Sequence, residues 1–92
     1  MAFSNASHLT PDQIRELLRT YHPTHKLEVV RIRRKNKQEI RRSEFMAVSE
    51  LKKLILESME SGWSFDMDVL LPASKQILMG HHDGVCWLEP MA

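Results

Sequence analysis

Ninety-two residues, 42% hydrophobic and 27% charged with a net charge of +1, describe one globular domain with a modest core and exclude wholesale disorder. At this length folding hides only about two-thirds of the unfolded chain's surface, so a deep substrate cavity is not expected. A single cysteine, Cys86, excludes an intramolecular disulfide and makes a reducing, cytoplasmic setting the expectation. MAFSNASHLT lacks the basic and apolar segments of a signal peptide, and no window reaches the apolar length of a membrane span, so no membrane partner is expected.

Residues 1–9 carry small and polar side chains without periodicity and read as a loose arm ahead of a single α+β domain over 10–90. Thr10-Pro11-Asp12-Gln13 then announces a helix, with Thr10 as N-cap, Pro11 at the first helical position and Gln13 completing a capping box. Ile14, Leu17, Leu18 and Tyr21 fall on one apolar face, and His22-Pro23 ends the segment.

Leu27–Arg34 is β-rich, and Lys35-Asn36-Lys37-Gln38 offers a polar turn after which Ile40–Phe45 pairs back, setting Arg34 against Glu39. The competing reading starts a long helix near Lys37 and runs it to Gly62, which would carry Arg41 and Arg42 on a rod; the hairpin is the favoured one. A second helix has Ser49 as its N-cap, Leu51, Leu54, Ile55 and Met59 on its buried face, and Gly62 at its end. Trp63–Pro72 alternates apolar and polar residues as a strand buried on one face. Ile77–His82 and Val85–Glu89 flank Asp83-Gly84, the dipeptide of a two-residue hairpin, a register that sets Gly80 under Trp87 and His81 against Cys86. The order α-β-β-α-β-β-β implies a two-layer sandwich, two amphipathic helices on an antiparallel sheet built from a β-hairpin and a three-strand meander.

Charge is the functional signal. Lys26–Arg42 holds eight basic residues against Glu28 and Glu39, a local +6 that leaves −5 for the rest of the chain. On a hairpin, Arg31, Arg33, Arg34, Lys35, Lys37, Arg41 and Arg42 make a basic finger, whose forked guanidinium groups suit carboxylates or phosphates. Its bland alternative is a solvated sheet edge guarded against aggregation. The expected partner is an acidic protein surface or a protein–nucleic acid complex, with phosphate backbone as the alternative target and no inference on oligomeric state. Phe45 is the one aromatic residue nearby, which argues against a base-stacking platform. Trp87, flanked by residues unlike a core, is a candidate interface anchor.

The remaining chemistry reads as structural. His81-His82-Asp83 has metal-site composition, but neighbouring strand residues point to opposite faces, so the two imidazoles are expected to diverge and no metal or cofactor is expected. Cys86 shares a face with Met79 and Leu88, the setting of a buried, inert thiol, so catalysis through His81 and Cys86 is not expected. Asp66 and Asp68 lie on the solvated face of their strand, and Trp63, Met46, Met59, Met67 and Met79 read mainly as core. The chain thus reads as a small non-enzymatic binding protein of the regulator, immunity-protein or inhibitor type.

Overall fold

A computed structural model describes residues 8–63 and 65–91. The first helix, α1 (Pro11–Leu18), begins as its sequence dictates. The Thr10 hydroxyl accepts from the Gln13 amide at 3.2 Å, and the Gln13 side chain accepts from the Thr10 amide at 2.8 Å. Ile14 and Leu18 are buried, while Leu17 and Tyr21 pack beside them. The helix stops at Leu18, short of His22-Pro23, and Tyr21 instead turns to accept a hydrogen bond from the Ala73 amide at 3.2 Å.

Strands β1 (Lys26–Lys35) and β2 (Gln38–Ala47) form the hairpin rather than the rival helix, in the register that sets Arg34 opposite Glu39. Asn36 and Lys37 supply φ angles of 52° and 64°, the paired positive values of a tight two-residue hairpin turn. The second helix, α2 (Val48–Ser61), follows β2 without a linker. Ser49 is not its cap. Ala47 holds the N-cap position, and the loop carbonyls of His25 and Pro23 accept the Val48 and Ser49 amides at 2.8 and 3.0 Å, doing what a capping side chain would do. Gly62 ends the helix as expected.

Strands β3 (Asp66–Leu71), β4 (Gln76–Gly80) and β5 (Cys86–Pro90) complete a five-stranded antiparallel sheet in the order β2-β1-β3-β4-β5. Leu27, Val29, Met67, Val69, Leu71, Leu78 and Cys86 point to one side of it and bury against Ile14, Leu18, Val48, Leu51 and Ile55 of the helices. The architecture is therefore the two-layer α+β sandwich expected. The opposite sheet face carries no helix among the described residues. No helix of the described residues is long and apolar enough to cross a membrane.

Three expectations fail at the end of the chain. Trp63 lies outside β3, because its amide donates to the His82 carbonyl at 2.8 Å and its indole turns over Gly80; Ser64, expected in the same strand, lies outside the described residues. The β4–β5 pairing is shifted by one residue: Gly80 faces Cys86 and Met79 faces Trp87, leaving residues 81–85 as the connecting loop. Only Gly84 has a positive φ there, 87°, and the loop packs so closely on α2 that a Cβ at Gly84 would lie 3.0 Å from the Ser58 carbonyl. Docking against the helix, not turn chemistry, selects the loop. Consequently Trp63, not Trp87, covers Gly80, and Cys86 shares its face with Leu78 and Leu88 rather than Met79. The start of the chain also differs from a wholly loose arm. The Leu9 amide donates to the Cys86 carbonyl at 2.7 Å and His8 bridges to Trp87, while residues 1–7 lie outside the described residues.

Candidate functional site

The hairpin outruns the sheet. β1 pairs with β2 from Lys26 to Lys35 but with β3 only from Val29 to Ile32, so from Arg33 onward it is a projecting two-stranded ribbon. Side chains alternate across such a ribbon, and the basic residues divide accordingly. On the helix-side face Arg31 opposes Arg42 and Arg33 opposes Ile40. These residues, with Arg34, Lys35 and Glu44, line a groove of about 540 Å³. On the open face Arg34 and Arg41 flank Glu39 at 3.6 and 2.8 Å, and Ser43 donates to Glu28 at 2.7 Å.

Phe65 lies beside the arginines of this groove without lining it. Its ring lies 4.9 Å from the Arg31 guanidinium carbon and 5.7 Å from that of Arg33, so two cations stack on one aromatic. Arg31 also donates to Glu44 at 3.1 Å, while its Nε is buried without a hydrogen-bond partner. Reading the chain as a single strand pattern placed Phe65 in the core. Its role follows only from the β1–β3 register: Ile32 opposes Asp66, so the next residue along, Arg33, comes beside Phe65. Phe65 is thus a second aromatic close to the finger, but it carries arginines and is not a free stacking platform.

The seven expected finger residues therefore fall into two groups. Arg31, Arg34 and Arg41 hold carboxylates, whereas no ion pair engages Arg33, Lys35, Lys37 or Arg42 among the described residues. Arg33, Lys35 and Arg42 share the groove with Ile40, which is 49% exposed, and Lys37 stands at the turn beyond them. Trp87 is not part of this surface. It sits on β5, at the far edge of the sheet with β3 and β4 between it and the hairpin, and its indole N–H donates to Glu89 at 3.2 Å. Phe45, 66% exposed, projects from the open face of β2 opposite Glu28.

The β4–β5 loop overturns the expectation that the two histidines diverge. Because 81–85 is a loop and not strand, strand alternation does not apply, and the His81 and His82 rings lie with centroids 4.0 Å apart. His82 meets Asp66 twice, Nδ1 and the backbone amide each lying 3.0 Å from Oδ1. Burial works to raise the Asp66 carboxyl, but the His82 hydrogen bonds, with the charges of His81 and His82, outweigh it and hold the group below its ordinary value. Asp68, farther along the open face, goes the other way. Burial raises it, Asp66, Glu89 and Glu39 add to the rise, and Arg41 opposes it.

Cys86 is buried as expected, 1% exposed, and burial pushes its thiol up to about 11. No protein family, curated protein or solved structure matches this chain. Its function must be read from its own residues.

Proposed function

We propose that this chain is a non-enzymatic binding protein of the regulator, immunity-protein or inhibitor type, acting in the cytoplasm and docking through its basic hairpin on an acidic protein surface. One observation carries the reading: Arg33, Lys35 and Arg42, which hold no carboxylate among the described residues, line a groove with the exposed Ile40 on a projecting ribbon, and Lys37 stands at its turn. Cations around an apolar contact suit a protein partner whose acidic rim encloses an apolar patch. Glu39 and Glu44 on the same hairpin favour such a patterned surface over a uniformly anionic one. The Cys86 thiol, held protonated by burial, supports a role without nucleophilic catalysis.

The second reading, phosphate backbone of a nucleic acid or ribonucleoprotein, is favoured by the ribbon shape itself, since a two-stranded β-ribbon fits the major groove of B-form DNA. Affinity capture with tagged chain, with and without nuclease, beside an Arg33→Ala/Arg42→Ala double variant of unchanged circular dichroism, separates the two. A protein that survives nuclease and is lost with the double variant fits the proposal. Retention by the double variant at wild-type level sinks both readings, and loss on nuclease alone transfers the finger to nucleic acid.

A further inference from the structure

We infer that Asp66, His81 and His82 form a binding site for a first-row divalent transition metal, with zinc as the probe. Each residue offers one ligand atom, and these atoms lie within 4.8 Å of one another. Two imidazoles and one carboxylate are the donor set of zinc and its neighbours, whereas calcium and magnesium take oxygen. Ligand atoms on one zinc, each at about 2.0–2.2 Å, stand roughly 3.3 Å apart in a tetrahedron. Asp66 Oδ1 and His82 Nδ1 are already 3.0 Å apart, so the remaining closure falls on His81. The His81 side chain is 36% exposed and accepts from the Asp83 amide at 3.2 Å, so closing on the ion means giving up only that one exposed hydrogen bond.

The backbone holds the three in place without a metal. His82 is fixed through its carbonyl to the Trp63 amide and through its own amide to Asp66, and the His81 amide donates to Val85 at 2.8 Å. Asp83 stands at the outer side of the pair, 3.3 Å from His81 Nδ1 and 3.5 Å from His82 Nε2. With Nδ1 of His82 on the metal, Asp83 is placed to accept the proton on Nε2, the outer contact that orients a ligating histidine. The metal takes the place of the proton between His82 Nδ1 and Asp66 Oδ1, and the neutral imidazole carries its single proton on Nε2 instead, facing Asp83. Arg34, at 4.0 Å, faces the other oxygen of Asp66 and leaves Oδ1 to the ion.

Three protein ligands leave a fourth position for water or an outside donor. Asp66 and His82 also border a cavity of about 200 Å³ lined with Ile32, Arg33, Arg34 and Phe65. A bound cation there adds positive charge beside the finger, but the site does not depend on what the finger docks.

The test is a zinc titration of the full, chelator-treated chain by calorimetry, together with histidine ring spectra by NMR. One equivalent should bind, and His82→Gln or Asp66→Asn should each weaken it by about tenfold or more. His22→Gln and His25→Gln should leave it unchanged. The His81→Gln/His82→Gln pair lies in an exposed loop, and wild-type zinc affinity in that variant overturns the site. Where Asp66→Asn fails to fold, the wild-type spectra decide: zinc must shift His81 and His82 before His22 and His25. The reverse order, or no saturable binding, overturns the inference.

Discussion

The Cys86 thiol offers the most quantitative check on this structure. It is 1% exposed beneath the β4–β5 pairing, and burial raises its pKa from 9.0 to about 11. At pH 8 that leaves about one thiol in a thousand ionised, roughly a hundredfold less than at the ordinary value. Alkylation of the native chain by iodoacetamide should therefore run at least about a hundredfold slower than in urea, with exclusion of the reagent slowing it further. The same shift couples to stability. A thiol whose folded pKa is raised leaves stability untouched below pH 9, where both states are protonated. Between pH 9 and 11 the unfolded chain ionises first and folding weakens by up to about 1.4 kcal/mol per pH unit, approaching a limit of roughly 2.7 kcal/mol above pH 11. Denaturant titrations at pH 8 and pH 10, compared with Cys86→Ala, isolate the contribution of this thiol. The wild-type chain should lose about 1.4 kcal/mol more than the variant over that interval. Equal losses, or native alkylation at the unfolded rate, would refute a buried protonated thiol and reopen nucleophilic chemistry at this position.

Two further outcomes test the packing and the helix start. Gly80→Ala puts a methyl group 2.5 Å from the Trp63 indole, so it should destabilise by about 1–3 kcal/mol and change tryptophan fluorescence; unchanged stability would mean the indole does not cover Gly80. Thr10→Ala removes one half of the α1 capping box and should cost about 1 kcal/mol in a thermal melt, with a null result showing that packing alone holds that helix end.

Local rules were legible wherever neighbours in sequence were also neighbours in space. The capping box at Thr10 and Gln13, the hairpin register that pairs Arg34 with Glu39 and the basic finger all depend on contacts within a few residues or across one tight turn. Short-range hydrogen bonds and side-chain alternation are sufficient to specify them. The buried thiol also followed, with Leu88 as the expected neighbour but Leu78 in place of Met79. Ser49 failed as a cap because carbonyls more than twenty positions earlier, on His25 and Pro23, already take the first amides of α2.

Asp83-Gly84 misled for a similar reason. The dipeptide favours a tight turn, yet contact with Ser58 and Met59 and the hydrogen bond to Trp63 draw the loop open by packing on the second helix. That single shift of register moved Trp87 away from Gly80 and brought His81 and His82 together beside Asp66. Phe65 came beneath Arg31 and Arg33 through another long-range choice, the antiparallel pairing of β1 with β3 across the whole of α2. By itself the sequence determined the elements, the two layers and where the positive charge lies, because propensity, capping and periodicity act locally. Tertiary structure alone decided which charges stand unpaired and which side chains converge, because those depend on strand register and loop docking between segments far apart in the chain.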